Sequence, residues 1–471
     1  MAGSRVFQPA VYRSASAVAC CCLATLTSHL AAAEPVRLIP NRPVGEISNV
    51  EVALQIGGDL LVSKPGDVAK EPSLRKLPLN VAAKIVYDEL PISLRTGDTA
   101  SSRALRHYQM AKAMVEIESG RMEPQLSEPH RLIAVEAGPS NVLLTCPDAP
   151  LTREELDLID IPANSLLLES LLPSEPVSPG DVWKHSDELM AALLRLDAVS
   201  LCDVQSMLAE VSTTENVAKM SLAGTVQGGI GGIATEIEIK AKYTFDLNSK
   251  RIILFALLIK EKRSVGHVGP GYDTVAKQVV KIRPNATSEA LKKHDTAAAA
   301  KWFDANEQQL SFASPHNGFH LEHNRRWYTT ADEKRLTVFR YVDRGEFVAQ
   351  CNMALLQETP GTESLNLARF QQDIEKSLGK QFGQFISAKE ETDAAGRRVY
   401  RVVVKGTASG LPIQWTYYLF STRDGNRLSA AFSVEQPLVE RFGNADREFL
   451  RSLEITPPQT ASGSRSESDK R

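Results

Sequence analysis

The sequence predicts an α+β protein with two unequal parts: an N-terminal antiparallel β-meander with packed helices, then a smaller domain of mixed strands and helices. Three observations carry that expectation. At 471 residues the chain exceeds what one hydrophobic core usually absorbs. Between Asp203 and Arg283, long runs alternate apolar and polar residues with short turns between them. Beyond Ser288 the alternation gives way to a helix-forming stretch before strand-like runs resume. The expected organisation is residues 1–33 as an export signal, 34–287 as the β-rich domain with a helical insertion, 288–310 as a linking helix, 311–457 as the second domain and 458–471 as a disordered tail.

The first 33 residues have a positive start at Arg5 and Arg13, an apolar run from Ala15 through Leu30, and Ala31-Ala32-Ala33 before Glu34. Small residues at Ala31 and Ala33 suit the signal-peptidase pocket and place cleavage before Glu34. The run is interrupted by Thr25, Thr27, Ser28 and His29 and is shorter than the ~20 residues of a spanning helix. Cys20, Cys21 and Cys22 raise a lipoprotein reading, against which Ala17-Val18-Ala19 lacks the usual leucine. The expected location is therefore the periplasm, the cell envelope or the exterior, with no transmembrane helix after the signal.

In the first domain, Val50–Leu54 and Val81–Tyr87 read as strands. Leu132–Ala134 and Val142–Leu144 bracket a Gly138-Pro139-Ser140-Asn141 turn. Thr152 with Glu155 is a capping-box signature, and Ser186 can cap a helix through Leu196 with Leu189 and Leu193 on its stripe. Leu166–Leu172 between them is core-sized and ends in a proline-rich stretch. The cleanest alternation is Ile237, Ile239, Ala241, Tyr243 and Phe245, with Glu236, Glu238, Lys240 and Lys242 on the other face. A one-sided sheet must cover its dry face, and the helices between Thr152 and Leu196 are the local candidates.

In the linking stretch, Ala297–Ala300 is an alanine run followed by Trp302 and Phe303. The second domain reads as strands at Phe319–His323, Leu336–Tyr341 and Phe347–Met353, a helix at Leu365–Leu378 ended by Gly379, strands at Val399–Val404, Ile413–Phe420 and Leu428–Val434 with an Asp424-Gly425-Asn426 turn, and one closing helix through Val439, Phe442, Phe449 and Leu453.

Pro315-His316-Asn317-Gly318-Phe319 through Trp327, the Trp415–Leu419 strand and the closing Phe449-Leu450-Arg451-Ser452-Leu453 segment follow the order of a known family. On these residues the second domain resembles the PsbP-like family, named for an extrinsic subunit of photosystem II. The resemblance covers roughly 145 residues, a domain of ordinary size, and implies an αβα sandwich. The chain departs from the family at His323-Asn324-Arg325-Arg326, where a Tyr-Pro pair often precedes the Trp. The first domain resembles exported bacterial proteins of unknown function with a lipoprotein-carrier-like half-barrel, as an architectural analogy.

Function classes narrow by exclusion. A net charge of −3 lacks the basic excess of a nucleic-acid binder. His316, His320 and His323 surround Glu322, but His320 and His323 have opposite strand parity and face opposite sides. Gly228-Gly229-Ile230-Gly231-Gly232 lacks the Lys-Ser/Thr of a phosphate loop and reads as a hairpin connection. No GxSxG or HExxH motif is present, and His107, His130, His185 and His267 are scattered. Cys146, Cys202 and Cys351 have neither zinc nor CxxC spacing. Arg325-Arg326 and Lys334-Arg335 read as a solvated face, and Trp183, Trp327 and Trp415 as core before groove. No catalytic, metal or cofactor-binding residue is assigned. The expectation is an exported, non-enzymatic protein without a cofactor, binding a lipid-like or hydrophobic ligand in a cavity walled by Ile237 to Phe245. The alternatives are an envelope-associated scaffold acting on partner proteins and an enzyme with an unrecognised site.

Overall fold

The structure, a computed structural model, describes residues 34–63, 74–94, 101–294, 299–303, 309–356, 366–393, 395–421 and 427–456. The expected cleavage residues Ala31 and Ala33, the first half of the alanine run, the Asp424-Gly425-Asn426 turn and the tail lie outside them. The protein is mostly β, with large antiparallel sheets and few helices.

The first part of the chain forms one twelve-stranded sheet. Its strands are β1 (Ser48–Ser63), β2 (Leu74–Ser93), β3 (Ser102–Ile117), β4 (Gly120–Met122), β5 (Leu132–Ala137), β6 (Val142–Thr145), β7 (Val182–Lys184), β8 (Ala198–Ser212), β9 (Val217–Ile230), β10 (Ile233–Asp246), β11 (Arg251–Arg263) and β12 (Gly271–Arg283). The order is β6-β5-β3-β2-β1-β12-β11-β10-β9-β8-β7, with β4 beside β3. Two meanders, one before and one after a helical insertion, are thus stitched by the β1–β12 ladder, from Asn49↔Arg283 to Leu61↔Gly271. The expected strands Val50–Leu54 and Val81–Tyr87 lie inside much longer ones, whereas Leu132–Ala134 is the first half of β5 and Val142–Leu144 nearly spans β6. β3 was not anticipated.

The insertion carries α1 (Arg153–Ile159), a 3₁₀ turn at Leu168–Leu171 and, after β7, α2 (Asp187–Leu194). Thr152 and Glu155 form the reciprocal capping box at α1. The Ser186 hydroxyl accepts from the Leu189 amide at α2, which ends at Arg195 in the left-handed region. Leu156, Ile159, Leu168, Leu171, Met190 and Leu193 are buried in one cluster with the inward residues of β1, β2 and β8–β12. The insertion is therefore the second layer of this domain, as the sheet's dry face requires.

The linking stretch folds, where described, as 3₁₀ turns at Leu291–Lys293 and Ala300–Phe303. Its Leu291 and Ala299 pack with Ile47, Leu90, Leu105 and Ala134.

The second part holds a three-stranded sheet of β13 (Gln309–Ser314), β14 (Phe319–Asn324) and, at the chain's end, β22 (Glu454–Ile455). Its larger sheet has β15 (Trp327–Glu333), β16 (Leu336–Asp343), β17 (Glu346–Leu356), β18 (Phe382–Thr392), β19 (Arg398–Ala408), β20 (Leu411–Ser421) and β21 (Arg427–Glu435), in the order β15-β16-β17-β21-β20-β19-β18. One face packs on α3 (Leu367–Leu378) through Phe370, Ile374, Tyr400, Val402 and Leu419. The other packs on α4 (Val439–Phe442) and α5 (Ala445–Leu450) around fully buried Trp327, whose ring centroid lies 4.3 Å from that of Phe449. The single closing helix expected from the sequence is two, because Gly443 breaks it at φ 56°.

The two parts meet at several places. The carbonyls of Val142 and Leu144, on the free edge of β6, accept from Arg195 and from Arg325 of the second part. Leu151 and Leu310 form a parallel bridge, with Ser311 N donating to Leu151 O at 2.8 Å. Arg153 donates to the Arg325 carbonyl at 2.7 Å and lies 4.6 Å over the Tyr328 ring. Finally, the β9–β10 hairpin tip, Gly231-Gly232, abuts the β16–β17 tip at Gly345. These three glycines have φ of 57°, 75° and 77°, and a Cβ on Gly232 would overlap the Gly345 backbone. The glycine-rich segment is thus a hairpin turn whose glycines also permit contact between the two parts.

Candidate functional site

A cleft of about 1240 Å³ opens in the first domain between the two ends of the twelve-stranded sheet. Ser102 of β3 and Pro139 of the β5–β6 turn line it from one end. Val182, Trp183 and Lys184 of β7 line it from the other. Residues of both ends can share one cleft only because the sheet curls without closing.

Local sequence builds each wall. Pro173, Pro176 and Pro179 keep residues 173–179 out of helix, so this stretch can pair with the incoming chain. Val36 N donates to Val177 O at 2.8 Å, and Val177 N returns a bond to Val36 O at 3.0 Å. This pairing lays Pro40 and Arg42 along the cleft. Gly180 (φ 99°) turns the chain into the three residues of β7. There Trp183 is half-buried and its Nε1 donates to Leu171 O at 2.8 Å. His185 Nε2 lies 2.7 Å from the hydroxyl of fully buried Ser206. Burial pushes its pKa down to about 4, so the ring is neutral near pH 7. Leu166, Leu172 and Leu189 add apolar surface, and Glu169, Glu175 and Glu188 add carboxylates.

Behind Arg42 sits a buried polar network. Glu89, with no exposed surface, accepts from Arg42, from Arg106 Nε at 2.7 Å and from the Ser165 hydroxyl at 2.8 Å. Burial alone would raise the Glu89 carboxyl, but Arg106 and Arg42 overcome it and hold it down to about 2. Arg106 also donates to Asn164 Oδ1 at 2.6 Å and stands 4.5 Å over the Tyr87 ring. The arrangement pins residues 164–166 of the insertion to β2 and β3. Next to it, Arg251 donates through Nε to Glu169 at 2.6 Å.

The residues expected to wall a cavity do something else. Ile237, Ile239, Ala241, Tyr243 and Phe245 are buried in the same packed cluster as Leu189 to Leu196, and none of them lines this cleft. The helical insertion fills the space they face, with the Tyr243 hydroxyl donating to Leu171 O at 3.3 Å. A second, shallower groove of about 590 Å³ crosses the outer face of the sheet near Ala53, Lys84, Lys112, Met114 and Lys277.

The other sequence candidates disperse. His107 is on β3, His130 is beside α1, His185 is in the cleft, and His267 stacks on Phe347 at 5.6 Å between the two parts. His320 Nε2 meets the Ser311 hydroxyl at 2.9 Å, whereas buried His323 turns its Nδ1 to Asn324 O. Among the described residues no group of three His, Cys, Asp or Glu side chains could hold a metal ion. Cys146, Cys202 and Cys351 are free thiols. Trp327 and Trp415 are core, while Trp183 reaches the cleft. Arg325 is no solvated charge. Burial, helped by Arg153 and Arg195 against Asp160, lowers it to about 10.

One serine–histidine–carboxylate group did escape sequence reading. Glu155 accepts from the Ser127 hydroxyl at 2.7 Å and lies 2.7 Å from His130 Nδ1. Ser127 Oγ is 3.0 Å from that same nitrogen. Serine and carboxylate thus share one ring nitrogen, whereas a catalytic triad needs them on opposite ones. This group secures the α1 N-terminus.

No family model and no curated protein matches the chain. Among solved structures it bears a distant similarity to the cyanobacterial PsbP of Synechocystis, at 13% identity and TM-score 0.26, covering 31% of this chain and 92% of that one. A Bacteroides thetaiotaomicron protein matches at 14% identity and TM-score 0.23 over 31% of this chain and about half (48%) of that one. The immunity protein TplEi of the Pseudomonas aeruginosa T6SS matches at 9% identity and TM-score 0.20, over 54% and 95%.

Proposed function

We propose that this chain is an exported, non-enzymatic binding protein whose first domain, a lipoprotein-carrier-like half-barrel, takes an extended amphiphilic ligand into the cleft between its sheet ends, while the second, an αβα sandwich of PsbP-like type, buttresses it. The observation that carries the reading is the cleft itself. Its volume of about 1240 Å³ exceeds that of most small-molecule sites, which run roughly 300–1,000 Å³, and leaves room for an extended ligand. Apolar Leu166, Leu172, Trp183 and Leu189 face it together with Arg42, Lys184 and Glu169, so a ligand with an apolar body and a polar end finds both surfaces. His185 of the cleft has as its hydroxyl partner the fully buried Ser206, which favours binding over hydrolysis.

Native mass spectrometry on the full chain, expressed with its leader and purified from a bacterial periplasm, tests this. The expected result is a mass excess that vanishes on denaturation, returns as an amphiphile in an organic extract, and is lost in Leu172→Arg. A clean protein mass, unchanged after incubation with amphiphile extracts, overturns the proposal.

A further inference from the structure

Arg42 differs from the other cations around the cleft. It lines the cleft, yet its side chain is only 3% exposed. Its one hydrogen-bond partner among the described residues is Glu89, reached through a single Nη atom. Its Nε–H is buried and meets no acceptor. Glu89 is already saturated by Arg42, Arg106 and Ser165. Arg106, by contrast, has Asn164, Ser165 and the Tyr87 face besides Glu89.

Charge makes the same point. Two guanidinium groups share one carboxylate, and no second carboxylate pairs with either among the described residues. Arg42, Glu89 and Arg106 together therefore carry one net positive charge, beside an Arg251 that pairs with two part-exposed carboxylates, Glu169 and Glu46. A buried guanidinium with an orphan donor is costly, and a fork-shaped donor set suits a planar or tetrahedral oxyanion. Lys184 and neutral His185 line the same cleft, as do the carboxylates Glu169, Glu175 and Glu188, so the orphan donor of Arg42 and not the overall charge of the cleft marks the anion position.

We infer that Arg42 is the head-group residue of the cleft, and that the ligand is an amphiphile ending in an oxyanion, a carboxylate or a phosphate, which supplies the acceptor and the negative charge that the Arg42–Glu89–Arg106 network lacks. This rests on the binding reading above and adds to it the class of the polar end. Arg42 touches ligand, Glu89 and Arg106 position it, and the apolar wall takes the chain.

Calorimetric titration of the full chain with laurate, dodecyl phosphate and dodecanol separates the claims. The expected result is that one or both anions bind at least about tenfold more tightly than dodecanol, the scale of one charge-assisted contact. Preference between laurate and dodecyl phosphate tells a carboxylate from a phosphate source. Arg42→Gln should bring the ratio of anion to alcohol affinity close to one while dodecanol binding persists. Arg42→Lys, which keeps the pair with Glu89, should reduce the ratio without abolishing it. Dodecanol binding as tightly as both anions overturns the head-group assignment and leaves the binding reading intact. Binding of none of the three overturns both. The wild-type comparison does not depend on the variants' folding.

Discussion

Glu89 and its partners illustrate what a residue can hide in a sequence. Arg42, Glu89, Arg106 and Ser165 come together across separations of 47, 17 and 76 residues, so no local motif announces them. Each taken alone looks like an ordinary surface charge or loop residue. Only Trp183 of the cleft was marked in the sequence as a groove candidate, because its size makes it conspicuous wherever it lies. Removing Glu89 should show what the network is worth: Glu89→Gln leaves two buried guanidinium groups facing each other and should cost about 3–5 kcal/mol in urea unfolding. The sign of its pH dependence follows from its lowered carboxyl. Held at about 2 against an ordinary 4.5, Glu89 contributes stability that is complete above pH 4.5 and lost as pH falls toward 2. The buried histidines act earlier. His185 and His323 are pushed by burial to about 4 from 6.5, so the unfolded chain takes up protons first and stability declines as pH falls from 6.5 to 4. Thermal melts across that window should show a shallower decline in His185→Gln than in the parent. An unchanged slope would mean that the ring is not held neutral.

At the scale of elements, legibility followed regularity. β9 to β12 were readable because inward and outward residues alternate without interruption, as in Ile237 to Phe245. The caps of α1 and α2 were readable because Thr152 and Ser186 act within three residues of themselves. β3 was not, since its inward face includes Arg106 and its other residues include the helix formers Ala111, Lys112, Ala113 and Met114. β18 was missed because two register shifts, at Phe382/Gln384 and Phe385/Ser387, break the period of an edge strand. The position of the cleft was invisible for a related reason. Parity says that Ile237 to Phe245 face inward, but whether the interior is filled depends on where the helical insertion docks. A glycine pair tests the hairpin contact directly. Gly232 and Gly410 both have positive φ, 75° and 82°, but a Cβ on Gly410 meets nothing within 4 Å, whereas one on Gly232 meets the Gly345 backbone. Gly410→Ala should cost only the backbone penalty of about 1–2 kcal/mol. Gly232→Ala should cost clearly more in the same denaturation assay. Equal losses would show that the two hairpin tips do not bear on one another.

Across the whole molecule, the same edge that limits the sheet joins the two parts. β6 is a terminal strand, and a free strand edge invites pairing with another chain. Here Arg195 from the end of α2 and Arg325 from the second part occupy its outward carbonyls at Val142 and Leu144. Arg153 then grips the Arg325 carbonyl from α1, and Leu151 bridges to Leu310. The charges are partly buried and supported by one another, so losing one should loosen the whole junction and add little to simple bookkeeping of single bonds. The two parts should therefore melt as one cooperative unit although each has its own core. Differential scanning calorimetry of the full chain should give one transition whose calorimetric and van't Hoff enthalpies agree. Arg325→Ala combined with Arg153→Ala should split it into two, because each core survives while the contacts that couple them do not. The same variant should expose the β6 edge and raise light scattering on heating. Two separate transitions in the unaltered chain would overturn this account, and the second domain would then be a neighbour of the first rather than its edge cover.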